Sequence, residues 1–185
     1  GGIGISKSSR MKQAYDDAVY LMNEAECELM IAEAYARLGN AEKAEEYYNK
    51  GVLAGFSRWG FDGTAFVDGA YKFDKADMLH SIAMQYWVTY AGANAYDSWM
   101  TRNRLGIPEV QANITVRKST TALQRELSDG YVLGNLVDPG ASNMNAGEYP
   151  MRLLYPTATT LYNSAAAKYV EENGNSLTKK LWWEK

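Results

Sequence analysis

Apolar residues recur at helical spacing through the first part of the chain. Between Met11 and Leu38 they follow one another at steps of three and four residues, which places them along one stripe of a helix. The members of this stripe are Ala18, Met22, Ala25, Leu29, Ala32 and Ala36. Polar residues, among them Glu26, Glu33 and Arg37, fall on the opposite side. The pattern predicts one long amphipathic helix from Met11 to Leu38 that exposes these charged side chains.

A second helix is predicted after a short turn. Gly39 is a typical helix terminator and Asn40 a typical N-cap, so the next helix should run from Ala41 to Leu53. Small and large side chains are spaced across both segments as in a tetratricopeptide-type hairpin, in which two antiparallel helices nest. These residues are Ala32, Tyr35, Ala44, Tyr48 and Gly51. A solenoid needs about three such units, so a single hairpin must pack on other parts of the protein or on a partner.

The remaining segments alternate between helices and long loops. Asp74 is the predicted N-cap of a long helix, which Gly92 bends or ends. The C-terminal region is rich in turn-forming residues and is predicted to be irregular. The further predictions are a loop at 51–73, a helix at 93–104, a short strand at 114–116, one or two helical turns at 120–129, a loop at 130–149 and a helix at 159–173. The predicted fold class is all-α, mainly helical with long irregular loops, in a single domain over 1–185.

Composition excludes some classes of function. The formal net charge of -3 gives no general attraction to nucleic acid or to anionic lipid. The 14 tyrosines and 5 tryptophans suit cores, interfaces and sugar-stacking surfaces equally. The adjacent indoles Trp182 and Trp183 are predicted to be docked. Cys27 is the only cysteine and is predicted to be a small buried residue without a disulfide.

Signals for enzymatic chemistry are poor, so no catalytic residue, metal site or cofactor is predicted. His80 is the only histidine and lies in a helical pattern without partners for catalysis. The glutamates of 24–28 and 42–46 are predicted to be solvated helix surface. Asp97 is predicted to form an ion pair with Arg102 or Arg104 at a helix end. The segment 138–145 lacks the spacing of a calcium loop and is predicted to be a cluster of turns.

Four motifs in order resemble one protein family. Ile82-Ala83-Met84-Gln85-Tyr86-Trp87 is followed by the Asp97–Pro108 segment, which contains Trp99, two arginines and a Gly-x-Pro ending. Pro150–Pro156, with Asn163 seven residues on, and Leu177–Trp183 complete the set. This order resembles the C-terminal half of SusD/RagB-like proteins, the surface nutrient-binding lipoproteins of Bacteroidetes. Three positions depart from the family pattern: Asp97 and Thr159, where glutamate is usual, and Asn103, which replaces an arginine.

The resemblance implies a non-catalytic protein at the external face of the outer membrane. Such a protein would capture an oligosaccharide or peptide and deliver it to a SusC-like TonB-dependent transporter. Its membrane contact would be a lipid anchor only. Because family members are longer, the chain is expected to be a C-terminal portion, with 1–10 a loop or cloning remnant. The motif residues assigned to structural roles are Trp87, Trp99, Arg102, Arg104, Arg152 and Tyr155.

The candidate ligand-binding residues come from the predicted loops. Sugar faces stack on aromatic rings and sugar hydroxyls bind polar edges. The aromatic candidates are Trp59, Phe61, Tyr71 and Tyr131, with Arg58 and Asp62 as polar neighbours. For each aromatic residue, core packing is the alternative interpretation. The alternative function is a tetratricopeptide-like interaction scaffold that binds a protein and no small molecule.

Overall fold

The computed structural model describes most of the chain, which divides into two compact units, Gly1–Pro108 and Glu109–Lys185. The sequence prediction of a single domain stays a prediction. The described residues are 15–16, 18–92, 94–112, 114, 116–118, 125–127, 130–137 and 145–184. The mainly helical fold class is confirmed.

The described part of the first unit contains five helices. They are α1 (Glu24–Arg37), α2 (Ala41–Ser57), α3 (Thr64–Val67), α4 (Met78–Thr89) and α5 (Ala95–Leu105). The predicted start of the first helix is wrong, because residues 18–23 are not helical. Asn23 has extended backbone and its side chain accepts a hydrogen bond from the Glu26 amide at 3.0 Å, which caps α1. Residues 11–14 lie outside the described part of the chain.

The α1–α2 hairpin is formed as predicted, and Gly51 of α2 lies close against Leu29 of α1. A Cβ atom there would lie 2.8 Å from Leu29 Cγ, so only glycine permits the two helices to pack at this distance. Leu29 is fully buried beneath it, at 0% exposure. The second helix extends one turn beyond the predicted Leu53, because the tertiary packing overrides the low helix propensity of its glycines.

Helix α4 packs against both helices of the hairpin and completes the core of the first unit. Ile82 and Tyr86 are buried on α4. Tyr48 of α2 is also buried, and its hydroxyl donates a hydrogen bond to the Tyr71 carbonyl at 2.9 Å. The N-cap of α4 is Asp77 rather than Asp74. Asp74 instead accepts a hydrogen bond from the Ala76 amide at 2.8 Å.

Helix α5 ends as its sequence predicts. Gly106 terminates it in the left-handed conformation, with φ of 74°, which glycine adopts without strain. The buried Arg102 donates from Nε to the Pro108 carbonyl at 3.0 Å and so holds the chain that follows the helix. This contact fits the structural role assigned to Arg102.

The second unit combines short strands with two helices. Antiparallel strands β2 (Val116–Lys118) and β3 (Arg125–Leu127) pair Val116 with Leu127, and parallel strands β1 (Val110–Gln111) and β4 (Leu136–Val137) pair Val110 with Leu136. Residues 125–127 are therefore extended rather than helical as predicted, and the predicted loop at 130–149 contains β4.

The predicted last helix is two helices, α6 (Thr157–Tyr162) and α7 (Ser164–Asn173). Asn163 separates them, because its side chain caps α7 by accepting from the Ala165 and Ala166 amides. Arg152 lies 5.0 Å from the ring centroid of Tyr155, which agrees with the structural role assigned to both. Trp182 is 94% exposed, so the prediction that it is docked is wrong.

Candidate functional site

An aromatic-walled cavity lies where α2 and α4 end. Its volume is about 190 Å³, below the roughly 300–1,000 Å³ of pockets for drug-sized ligands. A cavity of this size admits one ring of a ligand rather than a whole oligomer. We call it the aromatic cavity; its lining residues are Val52, Gly55, Phe56, Arg58, Trp59, Phe61, Tyr71, Gln85, Val88 and Thr89.

Arg58 connects the C-terminal ends of two helices at this cavity. It follows α2 directly, and its Nη2 donates to the Thr89 carbonyl at the end of α4 at 2.9 Å. The guanidinium carbon lies 5.2 Å from the Trp59 ring centroid and 5.6 Å from that of Tyr20. Nε and Nη1 are buried and have no hydrogen-bond partner among the described residues. Burial lowers the pKa of Arg58, against a smaller opposing effect of Tyr20.

Four of the six predicted ligand-binding residues line this cavity: Arg58, Trp59, Phe61 and Tyr71. Asp62 does not line it. Its carboxylate accepts from the Thr64 amide at 2.9 Å and from the Thr64 hydroxyl at 2.6 Å, so it shapes the turn before α3. Both hydrogen bonds lower the pKa of Asp62, and the one from the Thr64 hydroxyl has the larger effect. Tyr131 belongs to the second unit, where its hydroxyl donates to the Asn135 carbonyl at 2.7 Å.

A second, more polar cavity lies among α1, α4 and α5. Its volume is about 450 Å³. Three carboxylates and two guanidinium groups lie along its wall, so the formal net charge of the lining is -1. We call it the polar cavity; its lining residues are Glu26, Met30, Glu33, Ala34, Arg37, Tyr86, Tyr90, Asp97, Thr101 and Arg104.

The polar cavity contains two glutamates that the sequence pattern places in solvent. Glu26 and Glu33 are both buried, so the predicted outer side of α1 is wrong at these positions. Tyr90 donates from its hydroxyl to Glu26 Oε1 at 3.0 Å. Polar periodicity along α1 could not reveal this burial, because the helix is covered on two sides by segments distant in sequence.

Glu33 is the partner of Arg104. Arg104 Nη2 donates to Glu33 Oε2 at 2.8 Å and Nη1 donates to Oε1, while Arg37 Nε donates to Oε1 at 2.9 Å. Burial raises the pKa of Glu33, but the hydrogen bonds and charges of Arg104 and Arg37 outweigh it, so the pKa is lowered overall. The predicted pairing of Asp97 with Arg104 is therefore wrong: the arginine joins α5 to α1 instead.

We expect Tyr86→Phe to leave the stability of the protein unchanged or slightly higher. The Tyr86 hydroxyl is buried and has no hydrogen-bond partner among the described residues, and leaving such a group unsatisfied costs about 1–3 kcal/mol. Burial, followed by the charge of Glu33, raises the pKa of Tyr86, so the hydroxyl keeps its proton. Urea unfolding measures the effect. A loss above about 1 kcal/mol would contradict the absence of a partner, and Tyr48→Phe, which does lose a hydrogen bond, is the matched control.

Features of metal or acid–base sites are sparse in the described part of the chain. No group of three or more His, Cys, Asp or Glu side chains there could hold a metal ion. His80 is exposed at the start of α4. Cys27 is partly exposed, so its predicted burial is wrong. The segment 138–144 of the predicted turn cluster lies outside the described residues.

A match to a protein-family model establishes the family of the chain. The model for SusD-like_2, described as starch-binding associating with outer membrane, matches residues 3–127. The chain belongs to the SusD-like_2 family. The match covers the hairpin, both cavities and the Asp97–Pro108 motif, and it confirms the resemblance identified from the motifs. No curated protein matches the chain.

Membership places the chain in a family of nutrient-binding proteins that are not catalysts and act in association with the outer membrane. Starch or related glycan binding is the activity that the family description carries. Among the described residues, no helix has the length and hydrophobicity needed to cross a bilayer.

Proposed function

We propose that this SusD-like protein binds one unit of an oligosaccharide in the aromatic cavity. The observation that carries the proposal is the wall of the cavity, which the aromatic residues Phe56, Trp59, Phe61 and Tyr71 line together with the partly buried Arg58. Aromatic rings stack on the weakly apolar face of a sugar, and Trp59 remains 41% exposed for such contact. The Arg58 guanidinium carbon lies 5.2 Å from the centroid of the Trp59 ring, a contact that holds the indole in the wall of the cavity.

We further propose that the bound glycan is delivered to a SusC-like TonB-dependent transporter at the external face of the outer membrane, with the protein held there by a lipid anchor. The family description, which joins starch binding to the outer membrane, supports this proposal. The protein itself performs no chemistry in this scheme. Its contribution is to hold the ligand by stacking and hydrogen bonding, which leaves the glycan intact for transport.

Trp59→Ala should abolish or sharply reduce retardation of the protein in starch affinity gels. Loss of one stacked indole removes about 1 kcal/mol or more of binding free energy, which weakens the dissociation constant roughly fivefold. Trp182→Ala is the matched control, because Trp182 is also an exposed indole but belongs to the second unit. Melting curves of both variants should superimpose on that of the wild type.

Two outcomes would count against glycan binding in this cavity. Equal retardation of the Trp59→Ala and wild-type proteins would place the sugar elsewhere. No retardation of the wild type by starch or by a panel of other polysaccharides, combined with retained capture of the transporter, would favour the interaction scaffold that the tetratricopeptide-type hairpin also allows. Hydrolysis of an oligosaccharide by the pure protein would contradict the proposed lack of catalysis.

A further inference from the structure

The C-terminal end of α7 carries a pair of residues that can react with each other. Asn173 is the last residue of the helix and Gly174 follows it, and Asn173-Gly174 is the only Asn-Gly dipeptide in the sequence. In such a dipeptide the backbone nitrogen of the glycine can attack the side-chain carbonyl carbon of the asparagine, because glycine has no Cβ atom to hinder the approach. Both residues are exposed, so water reaches the site.

The folded helix holds the two reacting groups in an unreactive arrangement. The Gly174 amide donates to the Val170 carbonyl at 2.7 Å, so its hydrogen points back along the helix and the nitrogen keeps its proton. The Asn173 side chain is held as well, since its Nδ2 donates to the Tyr169 carbonyl at 3.0 Å. Attack on Cγ requires rotation of the backbone at Asn173, which breaks the bond to Val170 and opens the last turn of α7.

Lys179 holds the same asparagine from the segment that follows the helix. Its Nζ donates to the Asn173 carbonyl at 3.4 Å and to Asn173 Oδ1 at 3.3 Å, and lies 5.9 Å from the centroid of the Tyr169 ring. These contacts are long and exposed, so each one is weak. All of them act on the one turn that must open, however, and their loss should raise the population of the open form.

We propose that Asn173 is a site of spontaneous deamidation and that Lys179 controls its rate. When the last turn of α7 opens, the Gly174 nitrogen forms a bond to Asn173 Cγ and gives up its proton. The Cγ–Nδ2 bond breaks, and Nδ2 leaves with that proton as ammonia. Water then adds to either carbonyl of the five-membered succinimide ring and leaves aspartate or isoaspartate at this position.

The product changes the end of α7 in two ways. A carboxylate replaces the neutral amide of Asn173, which removes the donor to the Tyr169 carbonyl and places a negative charge at the negative end of the helix dipole. Isoaspartate also adds one carbon to the main chain, so the Gly174 amide is displaced from the Val170 carbonyl. The modified protein should therefore have a frayed last turn.

Mass spectrometry of the full chain, incubated at mildly alkaline pH and then digested, measures the reaction. The mass gain from amide to acid is located by fragmentation of the peptide. We expect Asn173 to be converted while Asn175 keeps its amide, because Asn175 precedes Ser176 rather than glycine and its side chain is hydrogen-bonded to the backbone of Tyr155. Conversion of Asn173 should be faster in guanidinium chloride, where the helix is unfolded.

Two neighbouring lysines provide the decisive comparison. Lys179→Ala should raise the rate of conversion of Asn173 in the folded protein at least about twofold, as expected from the loss of weak hydrogen bonds. Lys180→Ala, which removes the next exposed ammonium, should leave the rate unchanged. Circular dichroism spectra of both variants should match that of the wild type.

Three results would overturn the proposal. They are an unmodified Asn173 in the unfolded chain, equal rates in the folded and unfolded chains, and a Lys179→Ala variant that reacts no faster than Lys180→Ala. The reaction is independent of the proposed glycan binding, because α7 belongs to the second unit and the aromatic cavity to the first.

Discussion

Replacing Leu29 with alanine should lower the free energy of unfolding by about 2–5 kcal/mol, the range for leucine-to-alanine changes in well-packed cores. Leu29 is fully buried on α1 and fits against the bare backbone of Gly51 on α2. Its removal leaves a cavity between the two helices of the hairpin, beside Gly51. Urea unfolding, monitored by circular dichroism, measures the loss.

Leu38→Ala is the matched control for this experiment. Leu38 follows the end of α1 and is largely exposed, so its removal should change the free energy of unfolding by less than about 0.5 kcal/mol. Adding Gly51→Ala to Leu29→Ala should recover part of the loss, because the new Cβ occupies space that Leu29 Cγ and Cδ2 vacate. The hairpin geometry would be refuted if Leu29→Ala and Leu38→Ala were equally mild.

Removing the Arg104 side chain is the second change with a large expected effect. Arg104→Ala should cost about 2–3 kcal/mol, less than the 3–5 kcal/mol of breaking a wholly buried pair. The discount applies because the Arg104 side chain is 36% exposed and Arg37 continues to pair with Glu33. Thermal and urea unfolding report the change. Lys50→Ala, which removes the exposed pair with Glu46 and the contact of the ammonium with the Tyr47 ring, should change stability by less than about 1 kcal/mol.

The same pair makes stability depend on pH in a definite direction. The pKa of Glu33 is lower in the folded protein than its ordinary value. A carboxyl of this kind stabilises the fold at pH values above its unfolded pKa, and the contribution disappears as the pH falls through the folded pKa. The stability difference between wild type and Glu33→Gln should therefore be largest near neutral pH and shrink below about pH 4. A difference that grew on acidification would contradict the assignment.

The sequence predicted the helices whose apolar stripes and end signals coincide. Asn40 caps α2 and Gly106 ends α5 as predicted. The spacing of four residues also brings Glu46 and Lys50 into an ion pair at 2.8 Å. These features depend on residues three or four positions apart, which share one helix face and need no distant partner.

Errors arose where a partner distant in sequence decides the structure. Glu26 and Glu33 look like surface residues along α1, but Tyr90 and Arg104 cover them from α4 and α5. The helical turns predicted at 120–129 are also wrong at β3, since pairing with β2 fixes that segment as extended. No short-range pattern contains this information.

The candidate site was predictable in part for the same reason. Trp59, Phe61 and Tyr71 stood out as aromatics among glycines in a segment without helical period, and they do line one cavity. The polar cavity was missed, because its residues come from three helices and each looked ordinary on its own. The signal in the sequence is the spacing of Tyr86 and Tyr90, four residues apart, with Arg104 following on the next helix.

The anchoring of Arg58 to the carbonyl at the end of α4 has a consequence for how ligand preference could diversify. Arg58 ties the end of α2 to the end of α4, while the segment from Trp59 to Tyr71 forms an outer rim away from the Leu29–Gly51 contact. Under the proposed function, exchanges along the rim would change which sugars bind while the scaffold beneath keeps its shape. Engineering a receptor for a different glycan would accordingly begin with libraries at Trp59 and Phe61 and leave Arg58 untouched.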